Sequence, residues 1–297
     1  MPIVCSAVGA EVVVTGIPFG EGPVWCPDGT LVVTSVAEGA LYRVWPGEGR
    51  AERIADTGGG ANGAALASDG GFVVTQNGGF DFAATGLFAE PPPFRPAMPG
   101  LQRVHPDNSV SYLTPEPLQA PNDLAVRGDG VIVFTDPGPF PPPNPTIARV
   151  LSWSPADGVR VVADGFWYVN GIVFEPDGGL VVIERTGLLR LDVSGGGEHE
   201  WVIEDLGRGG GDGFCVDADG RFYVCSTIEH CVLVVDRDGT IVDRLMIDGD
   251  GLTTNCCFGG DDGRTLFATD ALPGNVVAWE GMPTPGLALP AWPASIG

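Results

Sequence analysis

FGEGPVWCPDGTLVVTS (Phe19–Ser35) holds an acidic side chain, a short apolar stretch, an Asp-Gly turn and a second apolar stretch. Glu21 stands eight residues before the turn glycine, Gly29. The same frame recurs five more times. Its turn glycines are Gly70, Gly130, Gly178, Gly220 and Gly263, and the residues eight places earlier are Asn62, Asn122, Asn170, Asp212 and Asn255. A Gly, Asp or Cys follows each of these polar residues. Asn62, Asn122, Asn170 and Asn255 are four of the chain's eight asparagines, so composition alone does not produce the register.

The turn glycines lie 41, 60, 48, 42 and 43 residues apart. A period in the forties, with four strand-like runs per unit, predicts propeller blades rather than helical repeats. In the first unit the runs are Pro23–Trp25, Leu31–Ser35, Ala40–Trp45 and Ala51–Asp56. Gly and Pro interrupt the chain too often for helical periodicity. The expectation is an all-β, six-bladed β-propeller of four-stranded antiparallel blades, one domain over residues 1–297. The run Glu11–Thr15 serves as outer strand of the last blade and closes the ring, which removes an exposed sheet edge. Two insertions, about 76–99 and 137–145, follow inner-strand ends and should overhang one face as a lid. The proline-rich tail after Met282 is expected to wrap the outside.

The formal net charge of −23 argues against nucleic-acid and anionic-membrane partners, which need basic patches to displace counterions. All fifteen cationic residues are arginine, so lysine Schiff-base chemistry is excluded. No apolar run is long enough for a transmembrane helix. Residues Met1–Ala10 lack the basic and apolar regions of a signal peptide. Seven cysteines, none in a C-x-x-C spacing, are expected to be reduced and buried in a cytoplasmic protein.

In a propeller the innermost strands line the central channel, so equivalent positions at its mouth form a ring. Glu21, Asn122, Asn170 and Asp212 then converge on one axial point. Two carboxylates and two amide oxygens make a hard oxygen site for one divalent cation, Ca²⁺ first, with Mn²⁺, Mg²⁺ or Zn²⁺ as alternatives. Whether Asn62 and Asn255 touch the ion, its waters or only the channel wall stays open.

FGEGPVW (Phe19–Trp25), PND (Pro121–Asp123), VNGI (Val169–Ile172), GDGFCVDADG (Gly211–Gly220) and TTNCCFGG (Thr253–Gly260) resemble the blade motifs of the SMP-30/gluconolactonase family. The resemblance spans all six repeats. It implies a six-bladed, metal-dependent lactonase in which Glu21, Asn170 and Asp212 hold the metal and Asn122 lies close to metal and substrate. Similar propellers include paraoxonases and diisopropyl-fluorophosphatase, whose calcium is held by the same kind of Glu/Asn/Asn/Asp set. Sugar-lactonase members often place an arginine two residues before the third-blade asparagine; here it is Ala120. The surroundings are instead aromatic: Phe80, Phe82, Phe88, Phe140, Phe166, Trp167 and Tyr168. These favour an apolar or aromatic lactone over a sugar lactone.

The expected chemistry is hydrolysis of a cyclic ester, with Asp212 as general base and Glu184, at the end of an inner-type strand, as the alternative. Asp136 ends the matching strand of the third blade. Asn122, Asn62, Phe82 and Tyr168 are the expected substrate contacts. Serine catalysis is disfavoured: no G-x-S-x-G elbow occurs, and only His105, His199 and His230 could act as a histidine base. Histidine-bound zinc lacks its ligand cluster. Alternatives are a calcium-dependent phosphotriesterase, a metal-independent strictosidine-synthase-like propeller and a non-catalytic binding propeller. The expected partner is a small lactone or ester, and the expected state a monomer or small homo-oligomer.

Overall fold

The computed structural model describes residues 9–139, 141–193 and 198–294; Cys5 and Phe140 lie outside this set. Six four-stranded antiparallel sheets form a ring. Blade one is built from Gly20–Trp25, Leu31–Ser35, Ala40–Trp45 and Arg50–Asp56, each paired with the next. Blades two to five repeat this order, opening with Ala61–Leu66, Leu124–Val126, Val169–Phe174 and Phe214–Val216. Blade six takes three strands from Thr253–Gly259, Thr265–Asp270 and Asn275–Trp279. Its fourth is Glu11–Thr15, which pairs with Asn275–Trp279 and closes the ring.

Each repeat turn forms because its glycine adopts positive φ, from 69° at Gly263 to 89° at Gly130 and Gly178, which side chains with a Cβ rarely tolerate. The second strands, such as Leu31–Ser35 and Phe222–Ser226, are buried along their whole length because both sheet faces pack on neighbouring blades. Six apolar clusters fill the six interfaces between blades; one joins Val33 and Leu31 of blade one to Phe267 and Val276 of blade six.

The first strands touch one another around the axis. Two devices allow that approach. After the ring residue comes a glycine in four blades, and a Cβ there would collide with the next blade. At Gly171 it would lie 2.6 Å from the Asp212 carbonyl oxygen, and at Gly63 2.5 Å from Asp123 Oδ1. Threonines near the ends of second strands then donate across the gap to ring carbonyls: Thr34 to Asn62, Thr75 to Asn122, and Thr135 to Asn170 at 2.7 Å. Thr254 closes the circle by donating to the Gly20 carbonyl at 2.7 Å.

The insertion at 76–99 leaves the end of Phe72–Gln76 and is pinned over blade one. Arg95 donates to the Glu38 carbonyl at 2.7 Å and to both oxygens of Asp56. The tail does not wrap the outside. It crosses the end of the ring opposite the insertions: Leu287 N–H donates to Val216 O in blade five, and Trp292 N–H to Leu66 O in blade two. Those blades stand on opposite sides of a six-membered ring, so the strap runs over the far end of the channel. Trp292 is buried there against Trp153. No helix of the described residues is long and apolar enough to cross a membrane.

Two glycine substitutions separate the constraints. Gly178→Ala meets open space and only the strain of φ +89°, so it should cost about 1–2 kcal/mol. Gly171→Ala must push blade five away and should cost more, read as a larger fall in the urea midpoint. Equal losses would contradict the close-approach argument.

Candidate functional site

Glu21, Asn62, Asn122, Asn170 and Asp212 occupy equivalent places near the starts of their blades, where first strands begin and second strands end. In blade six a bulge between Thr253 and Asn255 shifts the register. Thr254 therefore takes the ring place, its carbonyl accepting from Gly213 N–H as that of Asp212 does from Gly171. Asn255 takes the place that Asp123 holds in blade three. Glu21, Asn62 and Asn255 are buried; Asn122, Asn170 and Asp212 are half-buried. Glu21 accepts from the Gly22 N–H at 3.3 Å and interacts with the Asn255 side chain. Asp212 bonds with Asn170 and accepts from the Thr227 hydroxyl at 3.3 Å. The sequence-predicted set is therefore brought together by the fold.

One member was not foreseen. Asp123 takes the position that is glycine in four blades, and its carboxylate reaches into the channel. It accepts from Leu124 N–H at 2.8 Å and lies 3.4 Å from Asn255 Nδ2 of blade six. Asn255 Oδ1 in turn accepts from Cys256 N–H. The broken glycine pattern in PND was the available signal.

The electrostatics are unusual for three neighbouring acids. Burial, then the charges of Asp212 and Asp123, hold Glu21 well above the usual carboxylate range. Burial, then the charge of Asp123, also raises Asp212 against the opposing bond from Asn170. Burial pushes Asp123 up to about 6. Among the described residues no arginine pairs with any of them. Asn62 Oδ1 is buried without a hydrogen-bond partner. Clustered carboxylates lacking a counter-charge, beside an orphaned amide oxygen, are donors that fit a divalent cation. Among the described residues no group of three or more His, Cys, Asp or Glu is arranged to hold a metal.

Other expected residues take different places. Glu184 accepts from the Trp167 and Tyr168 N–H groups at 3.0 and 3.2 Å, with Arg185 3.6 Å away. Asp136 likewise accepts from Gln119 and Ala120 N–H and pairs with Arg149. Both acids end second strands and fasten the loop entering the neighbouring first strand, so Glu184 sits as a loop anchor. Phe82 is 1% exposed and packs among Phe19, Phe80 and Phe88, in a small core that joins the insertion to Val36 and Ala37 of blade one. Among the described residues, Phe80 and Phe94 of the insertion and Trp167 are exposed, at 40%, 51% and 39%.

Tyr168 is held above its usual pKa by burial and by the charges of Asp212 and Glu21, which places its hydroxyl within their field. His230 spans from the Gly249 carbonyl at 3.1 Å to Asp270 at 3.2 Å and joins blades five and six. His105 bonds Ser111, and His199 stacks on Phe166, both away from the ring.

The family model described as SMP-30/gluconolactonase/LRE-like matches residues 19–271, and the chain belongs to that family. Among solved structures it is similar to regucalcin, a calcium-binding protein of Agrobacterium tumefaciens. That match has 20% identity, covers 96% of this chain and 97% of that one, and has a TM-score of 0.74. A gluconolactonase of Xanthomonas campestris matches at 22% identity over 92% and 89%, with a TM-score of 0.73. A luciferin-regenerating enzyme reaches a TM-score of 0.77 at 14% identity over 96% and 100%. At these identities the likeness is one of fold. A comparison with curated proteins finds no match.

The raised carboxylates give a pH dependence of defined sign. Their protonated forms are favoured by folding, so this stabilisation is complete below the unfolded values, 4.5 for Glu and 3.8 for Asp. It is lost as pH rises through the higher folded values. Chelator-treated protein should therefore melt at lower temperature at about pH 8 than at about pH 5, and Glu21→Gln should flatten that slope. A melting temperature that rises over this interval would contradict the site electrostatics.

Proposed function

We propose that this chain is a divalent-cation-dependent lactonase acting on an apolar or aromatic cyclic ester. The observation that carries the reading is the convergence of buried Glu21 and half-buried Asp212, without a cationic partner, among amide oxygens at the channel mouth. Family membership supports ester-ring hydrolysis as the reaction class. Glu21, Asn122, Asn170 and Asp212 would hold the cation, Ca²⁺ in the first instance. A bound cation would supply Lewis acidity toward the lactone carbonyl.

The chain's own groups perform the remaining tasks. Asp212 keeps a solvent-reaching edge, and its Oδ2 is oriented by the Thr227 hydroxyl. In this reading it takes the proton from the water that attacks the acyl carbon and returns it to the departing ring oxygen. Tyr168, held protonated by its surroundings, donates a hydrogen bond to a substrate oxygen. Asn122, half-buried at the mouth, offers its amide to the same substrate. Ala120 supplies no charge for sugar hydroxyls, whereas Phe80 and Trp167 offer exposed aromatic surface. The six free cysteines of the described residues fit a reducing, cytoplasmic setting.

The test is a panel of gluconolactone, an aliphatic γ-lactone, an aryl lactone and an aryl phosphotriester, with chelator and with cations restored. Aryl-lactone hydrolysis should be fastest, stop on chelation and return with Ca²⁺. Asp212→Asn should lower kcat by about 10²–10⁴-fold, the usual worth of a general base. Tight cation binding without turnover of any lactone would overturn the lactonase reading, and faster phosphotriester turnover would replace it.

A further inference from the structure

A second cluster of reactive side chains lies deeper in the ring. Cys215, in the first strand of blade five, faces Cys256, in the first strand of blade six, and their sulfurs are 3.5 Å apart. Both pack into the apolar cluster between those two blades. The residues equivalent to Cys215 are Val24, Ala65, Ala125, Val173 and Phe258, and all six are half-buried. Cys215 therefore keeps a small accessible surface, while Cys256, which also donates to the Tyr223 carbonyl at 3.1 Å, is buried. Both are free thiols.

We propose that Cys215 and Cys256 form a modification site for a small peroxide, which oxidises them to a disulfide tying blade five to blade six. A sulfur of the pair attacks a peroxide oxygen, breaking the O–O bond and giving a sulfenic acid with release of one water. The second sulfur attacks that sulfenic sulfur and expels its hydroxyl as a second water. The pair thus loses two electrons and two protons, and hydrogen peroxide becomes two waters. Bonding needs an approach of about 1.5 Å, from 3.5 Å to the disulfide length. Adjacent first strands already touch, so no unfolding is required. Cys225 lies in the same cluster and also bonds Cys256, so it is the competing partner; the other three thiols lie elsewhere. Cys257 alternates to the other face of its strand and packs between blades six and one. Cys231 lies in the cluster between blades four and five, and Cys26 in that between one and two.

The sequence makes the product easy to read. Cleavage after arginine puts Cys215 alone in Gly209–Arg221, Cys225 with Cys231 in Phe222–Arg237, and Cys256 with Cys257 in Leu245–Arg264. Folded protein is treated with modest excess hydrogen peroxide, alkylated under denaturing conditions and mapped by mass spectrometry. The expected result is a loss of two hydrogens, a cross-link between Gly209–Arg221 and Leu245–Arg264, and full reversal by dithiothreitol. Cys257→Ser should retain this cross-link, and Cys256→Ser should lose it with an unchanged circular-dichroism spectrum. An internal Cys256–Cys257 disulfide, a link through Phe222–Arg237, or oxidation only of urea-unfolded protein would each overturn the proposal.

Discussion

Six strands must start within touching distance of one axis, and most of the architecture follows from that crowding. In four blades a side chain on the residue after the ring position would strike the next blade's backbone or side chain, so Gly22, Gly63, Gly171 and Gly213 stand there. The carbonyls thrown together at the axis need donors, and threonine hydroxyls supply them, Thr34, Thr75 and Thr135 from second strands and Thr254 from the first strand of blade six. Where Ile183 and Cys225 replace threonine, the backbone N–H link remains, Gly171 to Asp212 O at 3.2 Å and Gly213 to Thr254 O at 2.7 Å, as Gly63 makes to Asn122 O at 2.8 Å beside Thr75. Removing these polar contacts would leave buried carbonyls unpaired, which costs more than a hydrogen bond contributes when made.

The same crowding creates the chemistry. Holding the ring residues close forces Glu21, Asp212 and Asp123 into one another's field, where desolvation raises all three. A fold selected for stability alone would place an arginine there, as it does beside Asp136 and Glu175. Leaving the ring acids without one is the physical ground for reading the mouth as a cation site. The strap formed by residues up to Trp292 covers the opposite end of the channel, away from the ring acids.

Much of the fold was legible because the repeat encodes it twice, in the Asp-Gly turn and in the polar residue eight places before it. The closing strand Glu11–Thr15 could be read from the incomplete last unit. Side-chain roles were less legible. Glu184 and Asp136 look catalytic because they end strands at the mouth, yet sequence does not show the amide groups they accept from. Phe82 shows its aromatic character in the sequence but not its burial against blade one. Asp123 was missed because its partner Asn255 is 132 residues away, across the channel. The threonine staples form a second register, Thr34, Thr75 and Thr135, overshadowed by the ring residues.

The most direct measurement of the central claim is calorimetric titration of metal-stripped protein with Ca²⁺. The account predicts one cation per chain, with binding abolished or greatly weakened in both Glu21→Gln and Asp212→Asn while the circular-dichroism spectrum is retained. Binding that survives unchanged in both variants, or no binding of any divalent cation to the wild-type chain, would contradict it.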